Sequence, residues 1–315
     1  MSRIAPHFVV DSRSHRVMNS SATVPTMQPV YRRVEVIANH AMTPTRFRTR
    51  LAVPEIASVI RPGQFVMVRA TGEPVSDPLL ARALALYDVT EDLGAVDVVY
   101  DLHGKGTRTL ARVRPGDSVT ILGPLGRDFG LPPDDGRVVW MVAGGIGQTP
   151  FLALAKWWMG RFAYAGINPC YGNPAPREVV LMHGGSNAQA VEGLEDFLAV
   201  GVVGLVATED GSRGWRGRVT DLVEQRRREA DAGLCEPPGL IITCGPSAMM
   251  AAVARLAQRM GVPCRASLEN PMACGFGACF SCVAPIRQSD GTTDLKRVCL
   301  DGPVFDAETV VWDEM

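Results

Sequence analysis

Hydrophobic and polar positions fall into four regimes along the chain. Residues 1–29 show no hydrophobic period. They read as a disordered tail, or as lead-in to a translation start at Met18, with a faint resemblance to an organelle transit peptide. Between 30 and 132 the apolar residues come in short β-branched runs at 31–38, 46–53, 64–68, 83–89, 95–102 and 118–122. Turn chemistry separates them at Thr43-Pro44, Pro62-Gly63, 72–74 and Pro115-Gly116. Six strands at this spacing predict a small antiparallel barrel, interrupted by a helix over 107–113. From 133 to 262 the rhythm changes. Buried-type strands at 138–142, 179–183, 205–208 and 240–244 alternate with helical patterns at 150–162, 191–200, 219–230 and 247–260. That alternation predicts a parallel sheet covered by helices on both faces, with ligands at the carboxyl ends of its strands. Residues 263–315 are too few for a comparable core, and a segment of that size often needs a metal or a disulfide to stay folded.

Composition narrows the class. The chain has 315 residues, 46% apolar and 21% charged, with 32 basic against 33 acidic side chains and a net charge of −1. This describes a globular protein with a sizeable core and without the basic field that nucleic-acid binding needs. The longest apolar stretch, 197–207, falls short of the roughly 18–20 residues of a membrane-spanning helix, so no membrane association is expected. Eight cysteines are too sparse for a disulfide scaffold and fit a reducing, cytoplasmic setting.

Four of those cysteines carry the sharpest signal. Cys274, Cys279 and Cys282 are spaced C-x4-C-x2-C, and Cys299 follows the third after sixteen intervening residues. This is the plant-type [2Fe–2S] spacing, whereas a zinc ribbon would show two separated C-x2-C pairs. Gly275, Gly277 and Ala278 let the backbone wrap closely, and Phe276 and Phe280 can restrict water. Cys170, Cys235 and Cys264 have no ligand spacing. Cys244 ends the last parallel strand and is open to either a functional or a packing role.

Glycine-rich turns mark two phosphate candidates. Gly144-Gly145-Ile146-Gly147-Gln148-Thr149-Pro150 links a strand to a helix, where free N–H groups and the helix dipole favour a pyrophosphate. Pro150 stands where the third fingerprint glycine would be, no acidic residue ends the next strand, and the run is equally readable as an ordinary turn. Gly104-Lys105-Gly106-Thr107 offers a second site of similar physics. Arg82 is either a bidentate phosphate partner or a solvated strand-end charge.

The run from Ser267-Leu268-Glu269-Asn270-Pro271-Met272 through the cysteine loop, followed by Cys299-Leu300-Asp301-Gly302-Pro303, resembles the electron-transfer subunits of NAD-linked bacterial dihydroorotate dehydrogenases. Gly104-Lys105-Gly106-Thr107, Gly123-Pro124-Leu125-Gly126, Thr208-Glu209-Asp210-Gly211-Ser212 and Cys244-Gly245-Pro246 extend the resemblance over about residues 30–315. The family is similar to ferredoxin–NADP reductases. It implies a tail at 1–29, an FAD-binding barrel at 30–132, an NAD-binding α/β domain at 133–262 and a [2Fe–2S] domain at 263–315. Arg82, Ala83, Leu84 and Ala85 would line the flavin, Val99, Tyr100 and Asp101 would touch it, and Gly106 and Thr107 would hold its pyrophosphate. Gly144, Gly145, Gly147 and Cys244 would border the nicotinamide. The family usually reads Arg-Pro-x-Ser where this chain has Arg82-Ala83-Leu84-Ala85, so Ala85 lacks a hydroxyl near the reactive flavin nitrogen. The stretch 184–190 lacks the family's usual basic residue.

What the resemblance implies is a relay in de novo pyrimidine (UMP) biosynthesis. A partner oxidises dihydroorotate at its own FMN, in a heterotetramer of two plus two chains. Electrons then pass through the cluster at Cys274, Cys279, Cys282 and Cys299 to FAD and on to NAD. A flavin is needed because an iron–sulfur centre carries one electron and nicotinamide takes two as hydride. No catalytic acid–base pair is required, and His103 reads as a satisfied loop histidine. Two rivals are a small flavin/iron–sulfur subunit of an NADH-dependent ferredoxin–NADP or sulfide reductase, and a non-enzymatic cluster-bearing regulatory protein.

Overall fold

A computed structural model describes residues 28–70, 77–170 and 174–315. The tail expected over 1–29, apart from its last two residues, and the turn expected at 72–74 lie outside the described residues.

The first half closes into a six-stranded antiparallel barrel of β1 (Val30–Ala41), β2 (Arg46–Ala52), β3 (Phe65–Arg69), β4 (Arg82–Val89), β5 (Ala95–Asp101) and β6 (Ser118–Leu125), in the order β1-β2-β5-β4-β3-β6 with β6 returning to β1. Alternation aims Leu51, Leu84, Leu86, Val119 and Ile121 inward, the period-2 geometry of strands. Helix α1 (Pro54–Ala57) was not expected from the pattern; it is a single turn with Pro54 at its start. Helix α2 (Lys105–Leu110) begins two residues before the expected helix. The reason is local: the Thr107 hydroxyl accepts from the backbone N–H of His103 at 3.0 Å and of Gly104 at 3.3 Å, which fixes the entry to the helix.

The second half runs β7 (Val138–Gly144), α3 (Phe151–Trp158), β8 (Val179–Gly185), α4 (Leu194–Ala199), β9 (Val203–Thr208), β10 (Trp215–Arg216), α5 (Val219–Asp231), β11 (Pro238–Cys244) and α6 (Ser247–Met260). The helix expected over 191–200 is shorter because Gly193, at φ +102°, separates it from a 3₁₀ turn at Ala188–Val191. The sheet does not stop at α6. Strand β12 (Cys264–Ser267) pairs parallel to β11, and after the β13 (Val283–Arg287) and β14 (Thr293–Arg297) hairpin, β15 (Val304–Asp306) pairs antiparallel to β12. The complete order is β10-β9-β8-β7-β11-β12-β15. The cysteine-bearing segment therefore contributes the edge of the nucleotide sheet.

Two kinds of contact join barrel and sheet. On one side, Phe65, Met67 and Leu125 of the barrel, Met250 and Ala254 of α6, and Cys282, Val298 and Cys299 share one apolar core. On the other, Lys156 of α3 donates to both carboxylate oxygens of Asp88 at 2.8 and 2.9 Å, and the Tyr164 hydroxyl donates to the same carboxylate at 2.8 Å. Nearby, the Tyr87 hydroxyl at 2.6 Å and Arg48 at 3.1 Å both donate to Asp196 of α4.

Candidate functional site

A cavity of about 550 Å³ opens where barrel, sheet and cysteine segment meet. Arg82, Ala83, Leu84 and Ala85 line it from β4, Val99, Tyr100 and Asp101 from the adjoining β5, Thr107 from α2, and Cys244 from the end of β11. Gly106 lies behind this surface. A Cβ there would stand 2.6 Å from the Arg82 guanidinium carbon, so the arginine rests on the opening turn of α2. Two residues singled out for phosphate contact are thereby brought together. Arg82 itself donates to the Leu80 carbonyl at 3.0 Å.

The glycine turn after β7 is placed differently. Gly144, Gly145 and Gly147 do not line the cavity, while Ile146, Thr149 and Pro150 of the same turn do. Gly147 is a packing requirement: a Cβ would sit 2.5 Å from the carbonyl carbon of Cys244, so the turns after β7 and β11 press backbone on backbone. The His183 ring, buried at the end of β8, lies with Nε2 2.8 Å from the Gly145 carbonyl.

Sequence reasoning missed Glu269. It lines the cavity two residues beyond β12 and accepts from the Cys244 thiol at 3.7 Å. Burial pushes its carboxyl upward, and burial together with the facing Glu269 pushes the Cys244 thiol well above its ordinary value. Ser267 lines the same part of the cavity. A single glutamate in a loop carries no periodic signal; only the tertiary placement of β12 brings it to the cavity. Tyr100 is pushed up to about 12 by burial. At Ala85 the cavity wall is a methyl group, opposite Phe65 in the β3–β4 register.

The four clustered cysteines lie between β12 and β15, three before the β13–β14 hairpin and Cys299 after it. Cys282 and Cys299 are buried, Cys274 is half-buried and Cys279 is exposed. The Cys299 N–H donates to Cys282 Sγ at 3.4 Å. The Ser281 hydroxyl lies 3.2 Å from Cys279 Sγ and, as donor, holds that thiol down at about 6, helped by hydrogen bonding with Cys274. Burial and the neighbouring Cys282 instead push Cys299 up to about 12. The thiols thus stand as two pairs, 274 with 279 and 282 with 299. Among the described residues no three His, Cys, Asp or Glu side chains converge as one metal ion requires. The loop packs on the barrel, since a Cβ at Gly275 would meet Met67 Cγ at 2.6 Å and Leu125 Cδ1 at 3.2 Å.

An oxidoreductase FAD-binding domain model matches residues 33–129, an oxidoreductase NAD-binding domain model matches 141–255, and the iron–sulfur cluster binding domain of dihydroorotate dehydrogenase B matches 269–311. The electron transfer subunit of dihydroorotate dehydrogenase B (NAD(+)) from Geobacillus kaustophilus is 38% identical over 282 residues, 89% of this chain and 98% of the relative. Its counterpart from Desulforamulus reducens is 34% identical over 89% of this chain and 97% of the relative. A solved NADH-dependent reduced ferredoxin–NADP oxidoreductase superposes with a TM-score of 0.72 at 25% identity, covering 89% of this chain and 90% of that one.

Proposed function

The chain belongs to the electron transfer subunits of dihydroorotate dehydrogenase B, and from that premise we propose that it relays electrons from a partner's FMN through a [2Fe–2S] cluster and FAD to NAD⁺, in the pathway that makes UMP. It is an oxidoreductase component with FAD, NAD and iron–sulfur domains. The observation that carries the reading is shared walling. Met272 lines the same cavity as Arg82 and Tyr100, and Cys274 follows two residues later, so at most about 7 Å of chain separates cavity wall from first thiol.

Within this reading Arg82 through Ala85, with Val99, Tyr100 and Asp101, would hold the flavin ring, and Gly106 and Thr107 would receive its pyrophosphate at the start of α2. Cys274, Cys279, Cys282 and Cys299 would hold the cluster. Gly144, Gly145, Gly147 and Cys244 would border the nicotinamide, in a heterotetramer of two chains with two partner subunits. When bound, FAD exchanges a hydride with nicotinamide and single electrons with the iron–sulfur centre. Cys244, buried at the end of β11, and Glu269, which accepts from its thiol, would stand on the wall beside that exchange. Exposed Phe276 and Phe280 flank the exposed Cys279, the side on which a partner subunit would dock. No helix of the described residues is long and apolar enough to cross a membrane. We propose a cytoplasmic setting.

Anaerobic purification with metal and flavin analysis tests the proposal. The expected result is two irons and one FAD per chain, NADH–dye reductase activity, no dihydroorotate oxidation by the isolated chain, and capture of an FMN-containing barrel protein. Zinc in place of iron, absent flavin, or dihydroorotate turnover by the chain alone would overturn it. The small-subunit reading of a ferredoxin–NADP reductase draws on the solved structure above; capture of a different large flavoprotein partner would favour it.

A further inference from the structure

Arg46 opens β2 on the barrel, yet its side chain is 3% exposed and ends between the two halves of the molecule. Nε and Nη2 fork onto the Asp101 carboxylate at 2.8 and 3.0 Å, across the β2–β5 register. Nη1 points the other way, donating to the carbonyls of Ala190 and Glu192 at 3.2 Å each. These carbonyls lie in and just after the 3₁₀ turn that follows β8. The Glu192 carbonyl also accepts from Gln148 Nε2 at 2.5 Å, and Gln148 belongs to the glycine turn after β7. Asp101 lines the cavity from the barrel side, and Ile146, Thr149 and Pro150 line it from the glycine turn. One guanidinium therefore closes a chain of hydrogen bonds from one wall of the cavity to the other.

We propose that Arg46 is a positioning residue that sets the gap between the flavin wall and the nicotinamide wall of the cavity. The inference rests on the cofactor assignment proposed above. The chemistry needs arginine: a planar fork with five donors can serve a carboxylate on one edge and two carbonyls on the other, whereas an ammonium is a single point. Hydride transfer is sensitive to such spacing, since a displacement of about 1 Å can cost on the order of 10²-fold in rate. Two further ties between barrel and sheet, Asp88 with Lys156 and Tyr87 with Asp196, reach α3 and α4 instead, and none of these four residues lines the cavity. They provide an internal control.

The test compares Arg46→Lys, Arg46→Met and Lys156→Met in the full chain. Stopped-flow reduction by NADH should slow at least tenfold in Arg46→Lys at saturating NADH, with a weakened long-wavelength charge-transfer band and unchanged FAD content. Arg46→Met should in addition move the flavin midpoint potential to a more negative value, because the Asp101 carboxylate is left without its countercharge. Lys156→Met should lower the melting temperature while leaving rate, band and potential within twofold or unshifted. Amide exchange at 144–150 and 188–192 should quicken at least tenfold in both Arg46 variants and not in Lys156→Met, with or without bound flavin. That last readout decides the matter even if the wild-type chain proves flavin-free, a result that would sink the cofactor assignment instead. Arg46→Lys matching wild type in rate and exchange, or Lys156→Met reproducing the Arg46 changes, overturns the proposal.

Discussion

His183 shows how a single side chain sets a condition on the whole. Its imidazole is fully buried at the end of β8, with Nδ1 unpaired among the described residues. Burial lowers its pKa to about 4, and the charges of Arg46 and Arg213 act in the same direction. The folded value lies below the ordinary 6.5, so the contribution to stability is complete above pH 6.5. It is lost as pH falls toward 4, when the unfolded chain takes up a proton that the folded one refuses. The loss amounts to about 3 kcal/mol at pH 4. Thermal melts should show the stability falling across that window, and His183→Gln should flatten the slope. A second expectation concerns Cys279. With Ser281 holding its thiol near 6, iodoacetamide should label it first in iron-free protein at pH 7, ahead of buried Cys282 and Cys299, and Ser281→Ala should slow that labelling several-fold. The cysteine spacing was legible because ligand geometry is written in sequence intervals. Glu269 was not, since its place on the cavity wall depends on a strand the pattern does not announce.

At the scale of elements, boundaries moved where local chemistry outweighed periodicity. All six barrel strands and the four long parallel strands were readable from β-branched runs and turn residues. Strands β10, β12 and β15, at two, four and three residues, were too short to show a period. The turns after β7 and β11 are tightly interlocked, and Gly147→Ala tests this. Its methyl group would meet the Cys244 backbone, which cannot swing aside as a side chain can. The variant should lose about 2 kcal/mol in a denaturant melt, within the usual range for overpacking. A loss under 0.5 kcal/mol would mean that the two turns can separate freely.

For the whole molecule, the sequence pattern distinguished three regions but not how they are joined. The sheet continues through β12 and β15 into the cysteine segment, and the apolar core around Met67 and Leu125 continues from the barrel into the same segment. Removing iron should therefore leave both larger parts folded. Chelation should preserve the far-ultraviolet circular dichroism of barrel and sheet while opening 274–299 to protease, with cleavage absent from β12 and β15. Loss of the whole dichroism signal would show instead that the metal site holds the entire fold together.

The edge position of β12 and β15 has a further consequence. A redox carrier on a flexible tether must diffuse between donor and acceptor, and solvent friction then limits its turnover. Here the strands that bracket the thiols, β12 and β15, are hydrogen-bonded into the sheet that carries the glycine turns, so a cluster held between them would be tied to the nucleotide domain by backbone pairing rather than by a linker.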